Sequence, residues 1–171
     1  MTILSIIKKR QSIREYTPEK VKVEDLKSIL ESANNAPIGH AAYDNYELVV
    51  VSDEEKLNHL AQLVLSVRPS ARHPFFNAPL VIFVVGKIGR ERLNGCDTGC
   101  LIENMMLQAC DLGLGSCFLY TISEVINANP NLQDVLALGP EQKVMSAVVI
   151  GHNQEKDPPI KSRPGIKTKY L

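Results

Sequence analysis

The sequence has no excess of either charge. Lysine and arginine together number 19, as do aspartate and glutamate, in a chain of 171 residues. A chain without net charge has no global field to attract polyanions, so neither nucleic acid nor an anionic membrane is an expected partner. The basic residues do concentrate at the end of the chain, because 155–171 holds five of them and only two acidic residues.

Long hydrophobic runs and targeting segments are also missing. No apolar run reaches the length needed to cross a bilayer. Lys8, Lys9 and Arg10 follow a short apolar segment, which is the reverse of the order in a secretory signal, and no cleavage-like site follows them. We therefore expect a cytoplasmic protein.

The four cysteines lack the spacing of a zinc site. Cys96, Cys100, Cys110 and Cys117 are separated by three, nine and six residues, which fits no zinc pattern. Cys96 and Cys100 could share one helical face, so a metal or cluster site is left open by the sequence. The alternative is that the thiols are small buried hydrophobic groups, as is usual inside cells, where disulfides are also rare.

Neither a dinucleotide fingerprint nor a repeat is present. The turn Gly113-Leu114-Gly115 is too short for the G-x-G-x-x-G pattern that joins a strand to a helix in a Rossmann domain. The chain also contains no internal repeat and no low-complexity block. These absences exclude a Rossmann domain and a repeat architecture.

The pattern of apolar residues predicts a layered α+β protein. We expect one domain, 1–171, with a C-terminal tail at 155–171. Continuous apolar runs predict buried strands, and apolar residues at helical spacing predict helices between them. The predicted strands are 47–51, 80–85, 116–120 and 144–150, with an added strand at 166–170. A charged turn region at 86–95 precedes a long helix that is predicted to begin at Asp97. This order favours a three-layer α-β-α sandwich around a mixed, mainly antiparallel sheet.

Two short basic stretches lie near opposite ends of the chain. Arg10, Ser12 and Arg14 offer two guanidinium groups and a hydroxyl, which suit an anion with several oxygens. The preceding segment, 3–9, has apolar residues at helical spacing, and these could fix the basic stretch to a core. If the fold brings Lys161 and Arg163 close, they could share one phosphate with Arg10. The alternative is that both stretches are solvated surface.

The proline-rich segment 66–79 is predicted to be a loop that carries two adjacent aromatic residues. Phe75 and Phe76 could cover a flat ligand, or they could plug the edge of the core, which is the commoner arrangement. His40, Tyr43 and Tyr120 are further candidates to line a pocket, because functional residues are frequent in loops.

The order of these motifs resembles the FMN-dependent nitroreductase family over nearly the whole chain. The stretch 10–16, Arg-Gln-Ser-Ile-Arg-Glu-Tyr, resembles the family's Arg-x-Ser-x-Arg-x-aromatic motif, which holds the phosphate and the pyrimidine edge of FMN. The stretch 97–117 is similar to the family's central helix and Gly-x-Gly turn. The segment 36–39, Ala-Pro-Ile-Gly, resembles an Ala-Pro-Ser segment that reaches the flavin bound mainly by the partner subunit. Here Ile38 replaces the serine, and residues 40–46 differ from the family's Asn-x-Gln-Pro-Trp run.

The resemblance implies a set of FMN-binding residues. Arg10, Lys161 and Arg163 would bind the phosphate, Ser12 would add a hydroxyl donor, and Arg14 would face the pyrimidine carbonyls. The segment Tyr120-Thr121 would direct a backbone N–H at flavin N5. The whole implied set is Arg10, Gln11, Ser12, Arg14, Pro37, Ile38, Gly39, Tyr120, Thr121, Lys161 and Arg163. No side chain is predicted to be a dedicated acid or base, and no metal ligand is predicted.

The function implied by the resemblance is that of an FMN-dependent NAD(P)H oxidoreductase. Such an enzyme would be a homodimer with FMN at the subunit interface, and would reduce nitroaromatics, quinones or similar small acceptors by a ping-pong reaction. One alternative is a flavin-binding protein without turnover, such as a redox sensor or carrier. Another is an anion-binding domain that uses the same basic ends and no flavin.

Overall fold

The computed structural model describes residues 2–70, 72–156 and 158–171. Four strands and six α-helices are formed within these ranges, and two 3₁₀ turns, Gly39–Ala41 and Tyr43–Asn45, precede the first strand. The helices are α1 (Ile3–Lys9), α2 (Val23–Asn34), α3 (Glu54–Val67), α4 (Glu91–Asp111), α5 (Ile122–Asn127) and α6 (Pro130–Val135). The strands are β1 (Tyr46–Val51), β2 (Leu80–Lys87), β3 (Gly115–Leu119) and β4 (Gln142–Gly151).

The four strands form one sheet in the order β1-β2-β4-β3, and each neighbouring pair is antiparallel. The two central strands are almost wholly buried, as their continuous apolar runs predict. A bulge between Val84 and Val85 shifts the register of β2 against β4. One face of the sheet packs with α3, α5 and α6, and the other packs with α2 and α4. The predicted three-layer α+β sandwich is therefore confirmed.

Two predicted elements differ from the structure near one edge of the sheet. The strand predicted at 47–51 to be buried on both faces is the edge strand β1, in which only Val51 is buried. Helix α4 begins at Glu91, so the turn predicted for 86–95 ends earlier than expected. Asn94 explains the longer helix, because its buried side chain donates to the carbonyl oxygen of Lys87 at 2.7 Å and holds the first turn against β2.

The two ends of the chain are more exposed than the sequence predicts. None of the residues of α1 is buried, although its apolar spacing predicts attachment to a core. The strand predicted at 166–170 is not formed, and Ile166 and Tyr170 are 94% and 93% exposed. Among the described residues, no strand pairs with this segment, so its backbone groups have no ladder to join. Of the remaining tail, 155–156 and 158–165 also lack helix and strand, and Asp157 lies outside the described residues.

None of the described helices has the length and apolar character required to cross a membrane.

Candidate functional site

The basic stretch near the N-terminus lies in an extended segment that joins the sheet beside β3. The backbone N–H of Ile13 donates to the carbonyl oxygen of Ser116 at 2.9 Å. The backbone N–H of Thr17 donates to the carbonyl oxygen of His152, also at 2.9 Å. Ile13 packs against the core while Arg14 is exposed, as the twofold alternation of an extended chain requires. The buried hydroxyl of Tyr16 donates to the carbonyl oxygen of Ile13 at 2.7 Å, and burial raises the pKa of this phenol.

The C-terminal tail folds back onto this segment, so the two basic ends of the chain do meet. The Gln11 amide donates to the carbonyl oxygens of Pro158 and Pro159 at 3.4 and 3.2 Å. The Arg163 guanidinium donates to the carbonyl oxygen of Ile7 at 3.2 Å and to that of Arg10. Arg163 thus binds carbonyls at the C-terminal end of α1, where a cation is favoured. Its role as a phosphate ligand remains a prediction.

A cavity of about 250 Å³ lies between this segment and the C-terminal end of α4. Its basic lining residues are Lys9, Arg10 and Lys156. The Nε atom of Arg10 is 3.6 Å from a carboxylate oxygen of Glu103, an ion pair in which Glu103 is exposed and Arg10 is partly buried. Gly115 forms part of the wall, and a Cβ added there would overlap the amide oxygen of Asn153 and lie 3.0 Å from Cβ of Ile13. The glycine therefore allows the close approach of three chain segments.

A second cavity, of about 310 Å³, continues along the same segment and is lined by Gln11, Ser12, Arg14 and Lys161. The buried oxygens Gln11 Oε1 and Asn153 Oδ1 line these cavities and have no hydrogen-bond partner among the described residues. Buried polar atoms in folded proteins nearly always have a partner, so these two oxygens indicate that a polar ligand or water belongs here.

A third cavity, of about 330 Å³, lies beyond Arg14 and includes the end of β3. Tyr120 and Thr121 line it, together with Arg68, Arg72 and Phe76. Tyr120 is 72% exposed. The structure therefore brings most of the predicted site residues, from Arg10 to Thr121, to one edge of the sheet along three neighbouring cavities.

The segment Pro37–Gly39 is not part of this arrangement. The Gly39 N–H donates to Asp97 at 3.1 Å, near the start of α4, whereas Cys110, at the other end of α4, contacts the carbonyl oxygen of Ile6 beside Arg10. Asp97 and Cys110 are 13 positions apart, which corresponds to about 20 Å of helix. Within one chain, Pro37, Ile38 and Gly39 are therefore remote from the cavity of Arg10.

A buried polar cluster holds the segment that contains Gly39. The Tyr46 hydroxyl lies 2.7 Å from a carboxylate oxygen of Asp97 and 2.9 Å from the amide oxygen of Asn94. Burial, and then the hydrogen bond with Asp97, raise the pKa of Tyr46. Asp97 and Asn94 are both buried. The sequence alone gave no signal for this cluster, because its members are spread over 39–97.

The two phenylalanines of the loop after α3 have different roles. Phe75 is buried in the core and meets Phe83 edge to face at 6.1 Å, which confirms its core placement. Phe76 instead faces the third cavity, where the guanidinium carbons of Arg14 and Arg72 lie 5.8 and 6.0 Å from its ring centre. The sequence analysis offered these two roles as alternatives for the pair and did not assign one role to each phenylalanine.

Several lining residues were missed by the sequence analysis. Lys9, Lys156, Arg68 and Arg72 are basic residues in basic or proline-rich stretches, and these stretches were the available signal. Asn153 follows the last strand, and nothing in the sequence around it indicates that it lines a cavity. All four cysteine thiols are free, and the described residues contain no cluster of His, Cys, Asp and Glu that could hold a metal ion.

The sequence matches the model of a known family. The family model described as the nitroreductase family matches residues 7–152. The chain belongs to the nitroreductase family. The matched nitroreductase region includes the stretch 10–14 and the turn 113–115, whereas Lys161 and Arg163 lie beyond it.

Individual members of the nitroreductase family resemble the chain along most of its length. An Archaeoglobus fulgidus protein named "Putative NADH dehydrogenase/NAD(P)H nitroreductase" is 29% identical over 161 residues, which are 90% of this chain and 87% of that protein. A solved FMN-dependent nitroreductase from Clostridium difficile R20291 is 29% identical with a TM-score of 0.74, over 89% of this chain and 88% of that one. A nitroreductase with bound FMN from Bacteroides fragilis shares the fold at a TM-score of 0.83 and 24% identity, over 100% and 97% of the two chains.

Proposed function

We propose that the protein is an FMN-dependent NAD(P)H oxidoreductase that reduces nitroaromatics, quinones or similar small acceptors. Membership of the nitroreductase family and the relatives named above support the oxidoreductase class. One observation carries the proposal furthest: Arg10, Arg14, Lys161 and Thr121 line three successive cavities along one edge of the sheet. This is an elongated site with basic residues along its length and Phe76 in the wall of the cavity beyond Arg14.

The residues present fit FMN. A phosphate suits the cavity of Arg10 and Lys156, and Lys161 adds a cation next to it. The hydroxyl groups of a ribityl chain would supply the donors that Gln11 Oε1 and Asn153 Oδ1 lack. Arg14 would stabilise negative charge at the pyrimidine edge, and a backbone N–H at Tyr120-Thr121 would meet N5. When bound, FMN supplies the chemistry by accepting a hydride equivalent from NAD(P)H and passing it to an acceptor.

The protein is proposed to act as a homodimer. Pro37, Ile38 and Gly39 lie about 20 Å along α4 from the cavity of Arg10, so they would complete the flavin site of a second copy and not their own. Exposed apolar side chains support such an association: Ile3, Leu4 and Ile7 on α1, and Ile160, Ile166, Tyr170 and Leu171 in the tail. An obligate interface of this type would bury on the order of 2,000 Å² or more.

Steady-state oxidation of NADH and NADPH by the FMN-loaded protein tests the activity. We expect slow oxidation of the nucleotide without an added acceptor and saturable acceleration by a quinone or a nitroaromatic. Double-reciprocal plots should give the parallel lines of a ping-pong reaction. An Arg14→Gln variant should be slower, whereas Lys56→Gln, which removes an exposed cation at the start of α3, should match the wild type. Tight FMN binding without reduction by either nucleotide would contradict the proposal and favour a sensor or carrier.

A further inference from the structure

An unusual turn presents Phe76 to the third cavity. Phe76 and Asn77 have φ angles of 54° and 55°, in the left-handed region that aromatic residues rarely adopt. The Nδ1 atom of His73 stabilises the turn by accepting from the backbone N–H groups of Phe75 and Asn77, both at 3.2 Å. Phe75 fixes the same turn to the core. Strained backbone that is held in this way is frequent at ligand sites, so the turn indicates a role for Phe76 beyond packing.

The charges around this cavity have one sign. Arg14, Arg68 and Arg72 line it, and none of its lining residues is acidic. Within the part of the chain that the structure describes, none of these three arginines forms an ion pair with a carboxylate. Apart from Ser70 and Thr121, the rest of the wall is apolar or aromatic, as in typical small-molecule sites. The cavity volume of about 330 Å³ lies within the usual range for such sites.

We propose that Arg68 and Arg72 form an anion-binding subsite that selects flat substrates carrying a carboxylate or phosphate group. This inference rests on the proposed function, because the anion-binding subsite would determine the substrate class of the same site. Phe76 would contact the face of the substrate ring, and the two guanidinium groups at the exposed rim would bind its anionic group. The third arginine of the cavity, Arg14, would bind the pyrimidine edge of the flavin and not the substrate. Arginine suits this task because its planar donors match carboxylate and phosphate oxygens and also stack on aromatic rings.

Two sources could supply the anionic group: an aromatic acceptor with a carboxylate, or the additional phosphate that distinguishes NADPH from NADH. A pair of acceptors with the same ring, 4-nitrobenzoate and 4-nitrobenzamide, tests the first source. The NADPH and NADH pair tests the second source. For each pair, the ratio of the two kcat/KM values is compared between the wild type and the variants, so that intrinsic reactivity cancels.

We expect Arg68→Gln/Arg72→Gln to lower the charged-over-neutral ratio about tenfold for at least one pair, as loss of charge-assisted hydrogen bonds would predict. The control Lys56→Gln removes a cation from the opposite end of α3 and should leave both ratios unchanged. Benzoate, which is not reduced, provides a binding readout. Its affinity for the purified holoenzyme in calorimetric titration should fall in the double variant, and the affinity of benzamide should not.

The outcomes separate this inference from the proposed function. Unchanged ratios in an active double variant would overturn the subsite. Unchanged benzoate affinity together with an unchanged NADPH-over-NADH ratio in a folded double variant would overturn it as well. If no NAD(P)H oxidation occurs but benzoate binding depends on the two arginines, the proposed activity is wrong and the anion subsite stands.

Discussion

His73 determines the shape of one wall of the site through a single lone pair. Its Nδ1 atom accepts two backbone hydrogen bonds, which is possible only while that nitrogen is unprotonated. Burial lowers the pKa of His73 below its ordinary value of 6.5. The unfolded chain therefore binds more protons than the folded chain at pH values between the two pKa values. The stability contributed by neutral His73 is complete above about pH 6.5, and it is lost as the pH falls through the lowered folded pKa.

Two substitutions of His73 separate the acceptor from the titration. His73→Ala should lower the free energy of unfolding by about 1–2 kcal/mol near neutral pH, because two N–H groups lose their acceptor. His73→Asn keeps an oxygen acceptor near the position of Nδ1 but cannot be protonated, so it should reduce the loss of stability in acid. Chemical denaturation at about pH 7.5 and about pH 5.5 measures both effects. Equal acid sensitivity in the wild type and His73→Asn would contradict this role.

At the scale of elements, the join between the N-terminal segment and β3 depends on Gly115. An added Cβ would overlap the amide oxygen of Asn153 and press on Ile13. Gly115→Ala should therefore destabilise the fold by about 1–3 kcal/mol and weaken FMN binding, because two walls of the first cavity would move. Gly95→Ala is the matched control, since a Cβ at Gly95 meets nothing within 4 Å and alanine favours helix.

Thermal unfolding and FMN titration of these two glycine variants check the prediction. We expect a lower midpoint and weaker FMN binding for Gly115→Ala, with an equal or higher midpoint for Gly95→Ala. A stable Gly115→Ala variant with wild-type FMN affinity would show that the close approach of the three segments does not shape the site.

The carboxylate of Asp97 connects α4 to the segment that would reach a partner. Asp97→Ala would leave the Gly39 N–H and the Tyr46 hydroxyl without this acceptor in a buried setting, so we expect a loss of about 1–3 kcal/mol. Hydrogen exchange should rise in residues 36–46 and remain unchanged in 10–16. The exposed Asp134→Ala serves as the control, with an expected change within about 0.5 kcal/mol. Unchanged exchange in 36–46 would contradict the anchoring role.

The layered fold could be predicted from the sequence because continuous apolar runs at 80–85 and 144–150 determine the central strands directly. Element boundaries were less predictable where a tertiary contact decides them. The start of α4 depends on the buried amide of Asn94, which donates to the carbonyl oxygen of Lys87 and cannot be recognised from local spacing. The loop position of Phe76 was predictable, but its left-handed backbone depends on His73.

At the scale of the whole molecule, the site was predictable in part. The meeting of the two basic ends was expected as a possibility, and the structure brings Arg10, Lys161 and Arg163 to one region. Asn153 was not predictable from the sequence, and the proline-rich stretch of Arg68 and Arg72 did not show that the fold places these arginines beside the motif. The separation of Gly39 from Arg10 also required the fold, since it follows from the length of α4.

Exposed apolar residues on α1 lead to a prediction about assembly. We expect the wild type to sediment as a dimer at micromolar concentration. Ile3→Ser/Ile7→Ser should raise the dimer dissociation constant at least about tenfold, because each isoleucine would bury apolar area worth about 1.5–3 kcal/mol. FMN affinity should fall in parallel. Val67→Ser is the control, because Val67 is a similarly exposed apolar residue elsewhere on the surface. A monomer that binds FMN fully would contradict a shared site.

The visible absorption spectrum of the purified protein, with the released chromophore identified, tests the central claim most directly. The account predicts flavin bands, FMN as the released compound, and a limit of one FMN per chain on titration. Bleaching of the bands by NADH or NADPH without oxygen would identify a reductase. A colourless protein that takes up no added FMN would contradict the account, because the site between Arg10 and Thr121 would then bind some other anion.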